Sequence, residues 1–422
     1  MRRRFWIETL GCPKNQVDSD KLTGVLEADG LVPAPTVADA DLVVVNTCAF
    51  VEEARSESIE AVLALGDARR PGAELVVTGC LAERYGAELA EALPEADAVA
   101  GFGVPVHLSR RDTGPLPSFD LLNLPRPASA SPWAYLKVAE GCDRACGFCA
   151  IPSFRGPQRS RSMESLLAEV EALGDHVKEV VLVAQDLAAF GRDQGEGSRR
   201  IVPLVNAVAE RVARVRLLYL YPSDLTEGLI DVICATGVPY FDLSLQHVSR
   251  PLLRAMRRWG DGERFLARMA DIRRRRPDAA FRSNFIVGYP GETEDDHDRL
   301  LAFLDEAELD WCGFFAWSPE EGTHAASLPG RVDPALVHER LAECTERQDG
   351  ITSRRREGLV GSAVEVLVDR PGIGRTYREA PEIDGVVHVP AGLPVGELAT
   401  VTVDATTGID LVATGATGSC CV

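Results

Sequence analysis

The stretch GCDRACGFCAIP, residues 141–152, sets the central fold of this 422-residue chain. Its cysteines, Cys142, Cys146 and Cys149, follow the pattern CxxxCxxC in the loop after the predicted strand AYLKVA. Three thiolates so close in sequence can wrap one face of a cubane iron–sulfur cluster and leave its fourth iron without a protein ligand. We call these cysteines the loop trio, and their spacing predicts an iron–sulfur centre with one open coordination position.

Two other interpretations of the loop trio are a structural zinc site and cysteines that only pack in the core. A structural zinc ion would take a fourth ligand, commonly from a second CxxC pair, and no such pair follows in the sequence. The spacing therefore favours the cluster.

The composition is that of an ordinary globular protein, with 45% hydrophobic and 26% charged residues, and the length suits two or three domains. The opening MRRRFWIETLGC has an apolar run too short for a signal peptide, and no stretch is long enough for a membrane-spanning helix. We therefore expect a cytoplasmic protein without a membrane partner, in which the 11 cysteines bind metal or act in catalysis. The net charge of −19 disfavours sequence-independent binding to nucleic acid, so we expect no DNA partner.

The hydrophobic pattern predicts an α/β protein of three domains. Residues 1–118 alternate short strands with helices, which predicts a parallel α/β domain. After a Pro-rich linker, residues 114–132, six further strand-and-helix repeats within residues 128–357 predict an open, partial (β/α)6 barrel whose active face lies at the carboxyl ends of the strands. From 358 to 422, short strands alternate with Gly and Pro turns, which predicts a small all-β barrel or sandwich.

The predicted strands of the first domain are FWIETL, DLVVVNT and ELVVTG, and those of the barrel are AYLKVA, EVVLVA, VRLLYL, YFDLSL, AFRSNFIV and WCGFFAW.

A second group of cysteines, which we call the strand-end trio, consists of Cys12, Cys48 and Cys80. Each lies one or two residues past the carboxyl end of a predicted parallel strand. Ligands gather at that edge of an open α/β sheet, so we expect the three thiols to converge, and Gly11 and Gly79 would let the backbone approach a bulky group closely. Three buried cysteines that act as small hydrophobic residues are the alternative. The repeated placement favours a second cluster.

Several stretches resemble the radical S-adenosylmethionine (SAM) methylthiotransferase family over essentially the whole chain. The matching segments are TLGCPKNQVDSD, NTCAFVEEARSESI, TGCLAERY, YLKVAEGCDRACGFCAIPSFRG, RLLYLYPSDLT, FIVGYPGETEDD and APEIDG. The resemblance implies an N-terminal cluster domain, a central radical SAM barrel and a C-terminal TRAM domain, in that order. One departure is Gly147, where family members often carry a hydroxyl residue.

The resemblance also implies the cofactors and the partners. The strand-end trio would hold an auxiliary [4Fe-4S] cluster involved in sulfur delivery, and the loop trio would hold the [4Fe-4S] cluster that cleaves SAM. SAM would serve as methyl donor and as radical source. The radical is needed because no side-chain base removes a hydrogen from an unactivated carbon near neutral pH. A one-electron reductant and a sulfur donor are further expected partners, and no catalytic residue is predicted beyond the cluster ligands.

Further candidates for SAM binding lie at the carboxyl ends of barrel strands. The segment FIVGYPGE, residues 285–292, resembles the part of the family barrel that borders the adenine of SAM, and glutamines end the segments VAQ and FDLSLQ. A strand-to-helix turn and ordinary hydrogen bonding within loops explain these residues equally well. The candidate SAM contacts are Phe148, Gln185, Gln246, Ile286, Gly288 and Glu292.

Within the family, the chain most resembles the branch that modifies the β-carbon of an aspartate in protein twelve of the small ribosomal subunit. The segments GCPKN and APEIDG favour this branch. Residues 358–422 contain eight acidic residues and three arginines, a balance that suits a basic ribosomal protein better than the phosphates of RNA. The alternatives are the branch that modifies isopentenyladenosine in tRNA and a non-catalytic iron–sulfur redox protein.

Overall fold

The computed structural model describes residues 2–102, 121–195 and 199–416. The predicted boundary at residue 118 and the first part of the predicted linker, residues 114–120, lie outside the described residues. Across the described ranges, no helix is both long enough and apolar enough to cross a membrane.

The N-terminal part of the chain is a parallel sheet with helices between its strands. Its elements are β1 (Arg4–Thr9), α1 (Pro13–Ala28), β2 (Val32–Pro33), β3 (Leu42–Thr47), α2 (Glu52–Ala68), β4 (Glu74–Gly79), α3 (Cys80–Ala92) and β5 (Ala98–Ala100). The strands lie in the order β2-β1-β3-β4-β5, and every pair is parallel. The strands predicted as FWIETL, DLVVVNT and ELVVTG are confirmed as β1, β3 and β4. The sequence pattern missed β2 and β5, which have only two and three residues.

The central part contains six parallel strands that follow one another around an open barrel. Its elements are β6 (Trp133–Lys137), β7 (Ala139–Glu140), α4 (Ile151–Arg155), β8 (Arg159–Ser160), α5 (Met163–Ala172), β9 (Glu179–Val183), α6 (Ile201–Ala209), β10 (Arg214–Leu217), α7 (Glu227–Ala235), β11 (Tyr240–Gln246), α8 (Arg250–Ala255), α9 (Gly262–Arg275), β12 (Ala280–Val287), α10 (Glu294–Ala307), β13 (Trp311–Ala316) and α11 (Pro334–Glu357).

Strands β6, β9 and β10 form one three-stranded sheet, and β11, β12 and β13 form another. A parallel bridge between Leu220 and Leu243 joins the two sheets. Among the described residues β13 does not pair with β6, so the barrel is open. The predicted partial (β/α)6 barrel is confirmed, and all of its carboxyl strand ends lie on one face.

The C-terminal part is all-β, as predicted. Its strands are β14 (Ala363–Arg370), β15 (Ile373–Arg375), β16 (Val387–His388), β17 (Leu398–Thr402), β18 (Ala405–Thr407), β19 (Asp410–Val412) and β20 (Gly415–Ala416). They form one sheet in the order β18-β19-β16-β15-β14-β17-β20, antiparallel except between β16 and β19. Its core consists mainly of valines, among them Val366, Val387 and Val401.

Buried or half-buried ion pairs join the three parts of the chain. Glu179, at the start of β9, accepts from Arg216 Nε at 2.6 Å and from Arg375 Nη1 of the C-terminal sheet at 3.1 Å. At the other end of the barrel, Glu320 accepts from Arg55 and from Arg84 of the N-terminal part, both at 2.6 Å. Each of these carboxylates therefore fixes one flanking domain to the barrel.

Glu179 is fully buried, so its charge depends on these arginines. Burial alone would raise the pKa of Glu179, but Arg216 and Arg375 lower it to about 2. The folded pKa lies below the ordinary value of 4.5. The resulting stabilisation is therefore complete at neutral pH and is lost as the pH falls from about 4.5 towards 2.

The substitution Glu179→Gln should lower the urea midpoint of unfolding at pH 7, because it removes the carboxylate partner of the buried Arg216 and one of the two carboxylates that pair with Arg375. We expect a loss of about 3–5 kcal/mol, as for other broken buried pairs, measured by tryptophan fluorescence. The difference between wild type and variant should shrink as the pH falls below about 4.

The matched control is Glu171→Gln, because Glu171 is 66% exposed and pairs with Arg211 on the surface. Its free energy of unfolding should differ from that of the wild type by no more than about 0.5 kcal/mol, the usual effect of a surface substitution. Equal midpoints for Glu179→Gln and the wild type would refute the role of the buried pair.

Candidate functional site

The strand-end trio meets at the carboxyl edge of the N-terminal sheet. Cys12 is the N-cap of α1, Cys48 follows the last residue of β3, and Cys80 is the first residue of α3, directly after β4. Because β1, β3 and β4 are adjacent and parallel, their carboxyl ends bring these three thiols together.

Two glycines keep the backbone close to this group of thiols. A Cβ on Gly11, whose φ is +96°, would lie 2.9 Å from Cys48 Sγ. A Cβ on Gly79, whose φ is +89°, would lie 2.4 Å from Asn46 Oδ1. The lack of room and the positive φ therefore both disfavour any residue other than glycine at these two positions.

The thiols of the strand-end trio differ in how readily they ionise. Burial, together with the neighbouring Cys80 and Cys12, raises the pKa of Cys48 to about 12. Burial also raises the pKa of Cys80, against the opposing charge of Arg155. For Cys12, burial acts in the same direction, but Lys14 and Arg155 contribute to a net lowering of its pKa. Cluster ligands are thiolates, so binding of a cluster to this trio would release protons.

The loop trio lies between β7 and α4, near the carboxyl end of the first barrel strand. The backbone N–H of Arg144 donates to Cys142 Sγ at 3.4 Å, and the guanidinium of Arg258 donates to Cys146 Sγ at 3.5 Å. Burial raises the pKa of Cys142 to about 11 and the pKa of Cys149 to about 12. Hydrogen bonds to the sulfurs are one of the means by which proteins tune iron–sulfur clusters.

Gly147 fastens the loop to the barrel. Its N–H donates to the carbonyl of Met256 at 2.8 Å, and its carbonyl accepts from the N–H of Ala325 at 2.8 Å. A Cβ here would lie 3.0 Å from the carbonyl oxygen of Ala255 and 3.1 Å from Tyr289 Oη. A side chain at this position would therefore crowd the neighbouring backbone and the Tyr289 ring, which explains the glycine.

Two arginines beside the loop trio contact the same aromatic ring. The guanidinium carbons of Arg144 and Arg258 each lie 3.9 Å from the centroid of Tyr221. Arg144 also pairs with Asp186 at 2.6 Å and with Asp224. Of these residues, Asp186 was expected from the sequence to face the active edge, next to Gln185. Arg144, Arg258, Tyr221 and Asp224 were not predicted, although Tyr221 and Asp224 lie in the segment RLLYLYPSDLT and Arg144 lies inside the CxxxCxxC pattern.

Arg155, the last residue of α4, connects the two trios. Its Nη2 donates to Cys80 Sγ at 2.9 Å and to Asn15 Oδ1 at 2.8 Å. Its Nη1 donates to Glu140 Oε2 at 2.8 Å and to Asp18 Oδ2 at 3.2 Å. Since α4 begins two residues after Cys149, one helix of five residues spans from the loop trio to a thiol of the strand-end trio. Arg155 was not predicted from the sequence, in which its only signal is its place in the segment PSFRG.

The residues of both trios fit cubane clusters. In the described part of the chain, no group of three or more His, Cys, Asp or Glu side chains is arranged to hold a single metal ion. Thiolates around a cubane each bind a different iron, so they stand farther apart than the ligands of one ion. The donors are thiols, and N–H groups are directed at Sγ of Cys80, Cys142 and Cys146. This set suits iron–sulfur clusters better than zinc.

Three family models match the chain. The uncharacterized protein family UPF0004 matches residues 4–101, the Radical SAM superfamily matches residues 136–304, and the TRAM domain matches residues 360–415.

Curated relatives match nearly the whole chain. A ribosomal protein uS12 methylthiotransferase RimO from Moorella thermoacetica is 43% identical over 415 residues, which cover 94% of this chain and 96% of the relative. The chain belongs to the RimO family of methylthiotransferases. A RimO from Streptomyces coelicolor is 41% identical, with 99% of this chain and 97% of the relative covered.

Among solved structures, the cobalamin-dependent SAM radical enzyme OxsB overlaps 83% of this chain and 56% of its own chain, with a TM-score of 0.47 and 13% identity. The assignment to the RimO family rests on the curated relatives and not on this overlap.

The candidate SAM contacts of this RimO family member differ in whether their polar groups already have hydrogen-bond partners within the protein. Gln185 donates from Nε2 to Glu140 Oε1 at 2.5 Å, while its buried Oε1 has no hydrogen-bond partner among the described residues. Gln246 ends β11 with a φ of +75°, which is uncommon for a residue other than glycine. Phe148 and Ile286 are half-buried and pack against the barrel core. Gln185 is therefore the candidate with an unused acceptor.

Gly288 and Glu292 have structural partners within the protein. Glu292 Oε2 accepts from the N–H of Gly288 at 2.7 Å, and its Oε1 accepts from Arg340 Nη1 at 2.9 Å. A Cβ on Gly288 would lie 2.4 Å from a methyl group of Val337 in α11. These contacts hold the turn after β12, and a role for either residue in SAM binding stays a prediction.

Replacing Arg155 with methionine should weaken iron binding by the strand-end trio. The variant loses the donor to Cys80 Sγ, and changes beside metal ligands typically lower metal affinity about 10- to 100-fold. After reconstitution without oxygen, we expect the iron content to fall from about eight towards about four per chain. Iron analysis and the electron paramagnetic resonance spectrum of the reduced protein measure this.

The matched control is Arg274→Met, because Arg274 is 69% exposed and, within the described part of the chain, its one ion-pair partner is its helix neighbour Asp271. Arg274→Met should keep the wild-type iron content. An Arg155→Met protein that is folded by circular dichroism and still holds the full iron content would contradict the role of Arg155.

Proposed function

We propose that this chain is a uS12 methylthiotransferase, which replaces a hydrogen on the β-carbon of an aspartate in ribosomal protein uS12 with a methylthio group. The observation that carries the proposal is the link between the two trios through α4 and Arg155. A radical site and a sulfur site must act on the same carbon, and this link supports a common place for both. The RimO relatives, which are named for this activity, cover both trios and the TRAM region.

The reaction needs SAM and iron–sulfur clusters. A member of the Radical SAM superfamily uses SAM and an iron–sulfur cluster, and we assign this cluster to the loop trio. We assign a second cubane, as the immediate source of sulfur, to the strand-end trio. The bound cofactors supply a carbon-centred radical that takes hydrogen from an unactivated C–H bond, and a second SAM supplies the methyl group. A one-electron reductant and a sulfur donor complete the balance of electrons and atoms.

The chain's own residues hold the cofactors in place and keep the site closed. Tyr221 lies against Arg144 and Arg258, which flank the loop trio. Gln185 Oε1 is a buried acceptor without a partner among the described residues, and we assign it to the amino group of SAM. A reactive radical must be kept from water and from side reactions, and the half-buried or buried state of all six cysteines supports this.

The exposed charges of the C-terminal sheet support a protein substrate. Its exposed acidic residues are Glu365, Glu382, Glu397 and Asp404, against the single exposed Arg370 among the described residues after Gly358. The other two arginines are buried or half-buried and are used within the fold. Such a surface repels phosphates and attracts a basic protein.

Two triple variants test the division of labour between the trios. Cys12→Ala with Cys48→Ala and Cys80→Ala should hold about four irons, cleave SAM to deoxyadenosine and methionine in the presence of a reductant, and form no methylthio product. The variant with all three cysteines of the loop trio changed to alanine should hold about four irons and produce no deoxyadenosine. The wild type, with about eight irons, should add a methylthio mass to uS12 in the presence of SAM and a reductant.

The matched control is Cys234→Ala, because Cys234 is half-buried in α7 and belongs to neither trio. It should behave as the wild type. Methylthio addition to tRNA alone would overturn the substrate, and a wild type that does not cleave SAM would favour a non-catalytic redox protein.

A further inference from the structure

A lysine without an ion-pair partner lies beside the strand-end trio. Lys14 is in the first turn of α1, two residues after Cys12, and is half-buried. Its Nζ lies 3.5 Å from the centroid of the Tyr219 ring. The chain has only four lysines. Lys21 and Lys137 pair with buried carboxylates, whereas Lys14 has no carboxylate within ion-pair distance among the described residues.

The position of Lys14 does not stabilise its helix. A cation in the first turn opposes the helix dipole, which favours negative charge there. The first turn of α1 contains no acidic residue that would offset the lysine. No carboxylate among the described residues balances the charge of Lys14, which within the protein rests on the Tyr219 ring and lowers the pKa of the neighbouring Cys12.

The ring under Lys14 is held in place by the barrel. Tyr219 has a φ of +65°, a left-handed conformation that is uncommon for an aromatic residue. Its N–H donates to Asp242 Oδ2 at 2.9 Å, and Asp242 pairs with Arg282 at 3.1 Å. Strained backbone that persists through such contacts is found mainly at functional sites. The barrel thus fixes the ring on which the ammonium rests.

The segment from Tyr219 to Tyr221 runs from one trio towards the other. Tyr219 contacts Lys14 beside the strand-end trio. Tyr221, two residues on, contacts Arg144 and Arg258, whose N–H groups reach the loop trio. The ammonium of Lys14 is therefore close to the path along which a substrate carbon must lie to meet both a radical and a sulfur.

The other cations near this path already have acceptors. Arg155 has four, and Arg144 pairs with Asp186 and Asp224. Arg258 donates to the carbonyl of Ser244 and to Cys146 Sγ. Arg258, whose buried Nε has no partner among the described residues, lies on the side of the loop trio. On the side of the strand-end trio the nearby cations are Arg155 and Lys14, and of these two Lys14 is the one that the described contacts leave for an anion from outside.

We propose that Lys14 binds the side-chain carboxylate of the target aspartate and thereby selects aspartate over neutral side chains of the same shape. The inference rests on the proposed function and adds to it a residue that positions and selects the substrate. A charge-assisted hydrogen bond from the ammonium would hold the carboxylate, and would place the adjacent β-carbon between the two trios.

The test compares Lys14→Met, which keeps the apolar stem on Tyr219, with Lys14→Arg and with the control Lys178→Met. Lys178 lies just before β9, at the amino end of the barrel, where its Nζ donates to the carbonyl of Asp175. Each protein is given uS12 and a uS12 variant whose target aspartate is asparagine. Affinity is measured by fluorescence anisotropy without reductant, and product is measured by mass spectrometry with the reconstituted enzyme.

We expect Lys14→Met to bind aspartate uS12 about 10- to 100-fold more weakly, the usual effect of losing a hydrogen bond between charged groups. Its affinity for the asparagine form should change less than about threefold. Lys14→Arg should keep most of the preference for aspartate, and Lys178→Met should keep all of it. Iron content and SAM cleavage without substrate should be unchanged in all variants.

Three results would overturn the proposal. One is an unchanged preference for aspartate in Lys14→Met, and another is an equal loss for both substrate forms. A loss of iron in Lys14→Met would assign the lysine to cluster assembly instead. The wild-type arm separates the two proposals, because a wild type that modifies uS12 upholds the function whatever Lys14 does, whereas one that leaves uS12 unmodified overturns both.

Discussion

The buried guanidinium of Arg155 is the interaction on which the rest of the site depends. Only 3% of its side chain is exposed, and a charge so buried must be paired. Asp18 of the N-terminal part and Glu140 of the barrel supply the pairing, and Lys137 bonds to both of these carboxylates. Burial alone would raise the pKa of Glu140, but Arg155 and Lys137 lower it to about 2. Two cations and two carboxylates thus form a closed group at the junction, and Cys80 is one of its hydrogen-bond acceptors.

The sequence predicted what depends on spacing and period, and it missed what depends on distant partners. Alternating strands and helices revealed the α/β sheet, the six-stranded barrel and the all-β end, because a buried parallel strand is a continuous apolar run such as β3. The cysteines were identified from the CxxxCxxC spacing and from repeated strand ends. Arg155 was missed because its partners Cys80 and Asn15 lie 75 and 140 residues away along the chain. No local pattern reports such a contact.

A protein with a net charge of −19 can still bind the carboxylate of a substrate aspartate if its charges are unevenly distributed. The exposed charges of the C-terminal sheet are mostly carboxylates, which attract a basic protein at long range. The cysteine trios, by contrast, are bordered by Lys14, Arg144, Arg155 and Arg258. Arg144 and Arg155 are paired with carboxylates, whereas Lys14 has none within ion-pair distance among the described residues. A basic ribosomal protein would therefore meet an acidic exterior, and the one acidic side chain that enters would meet the ammonium of Lys14. The net charge of the chain does not reveal this difference between its surface and its site.

The N-terminal part is fastened to the barrel at several places, one of which is the buried pair of Lys21 and Glu169. Arg155 and Lys137 reach it from one side, and Glu320 holds Arg55 and Arg84 from another. In evolutionary terms, the two parts are not exchangeable modules. An N-terminal domain borrowed from a distant relative would have to bring its own equivalents of Asp18, Arg55 and Arg84, or the barrel would be left with buried charges that nothing neutralises. A charge change on one side of this junction therefore requires a matching change on the other, and the placement of one cysteine trio depends on residues of the domain that carries the other.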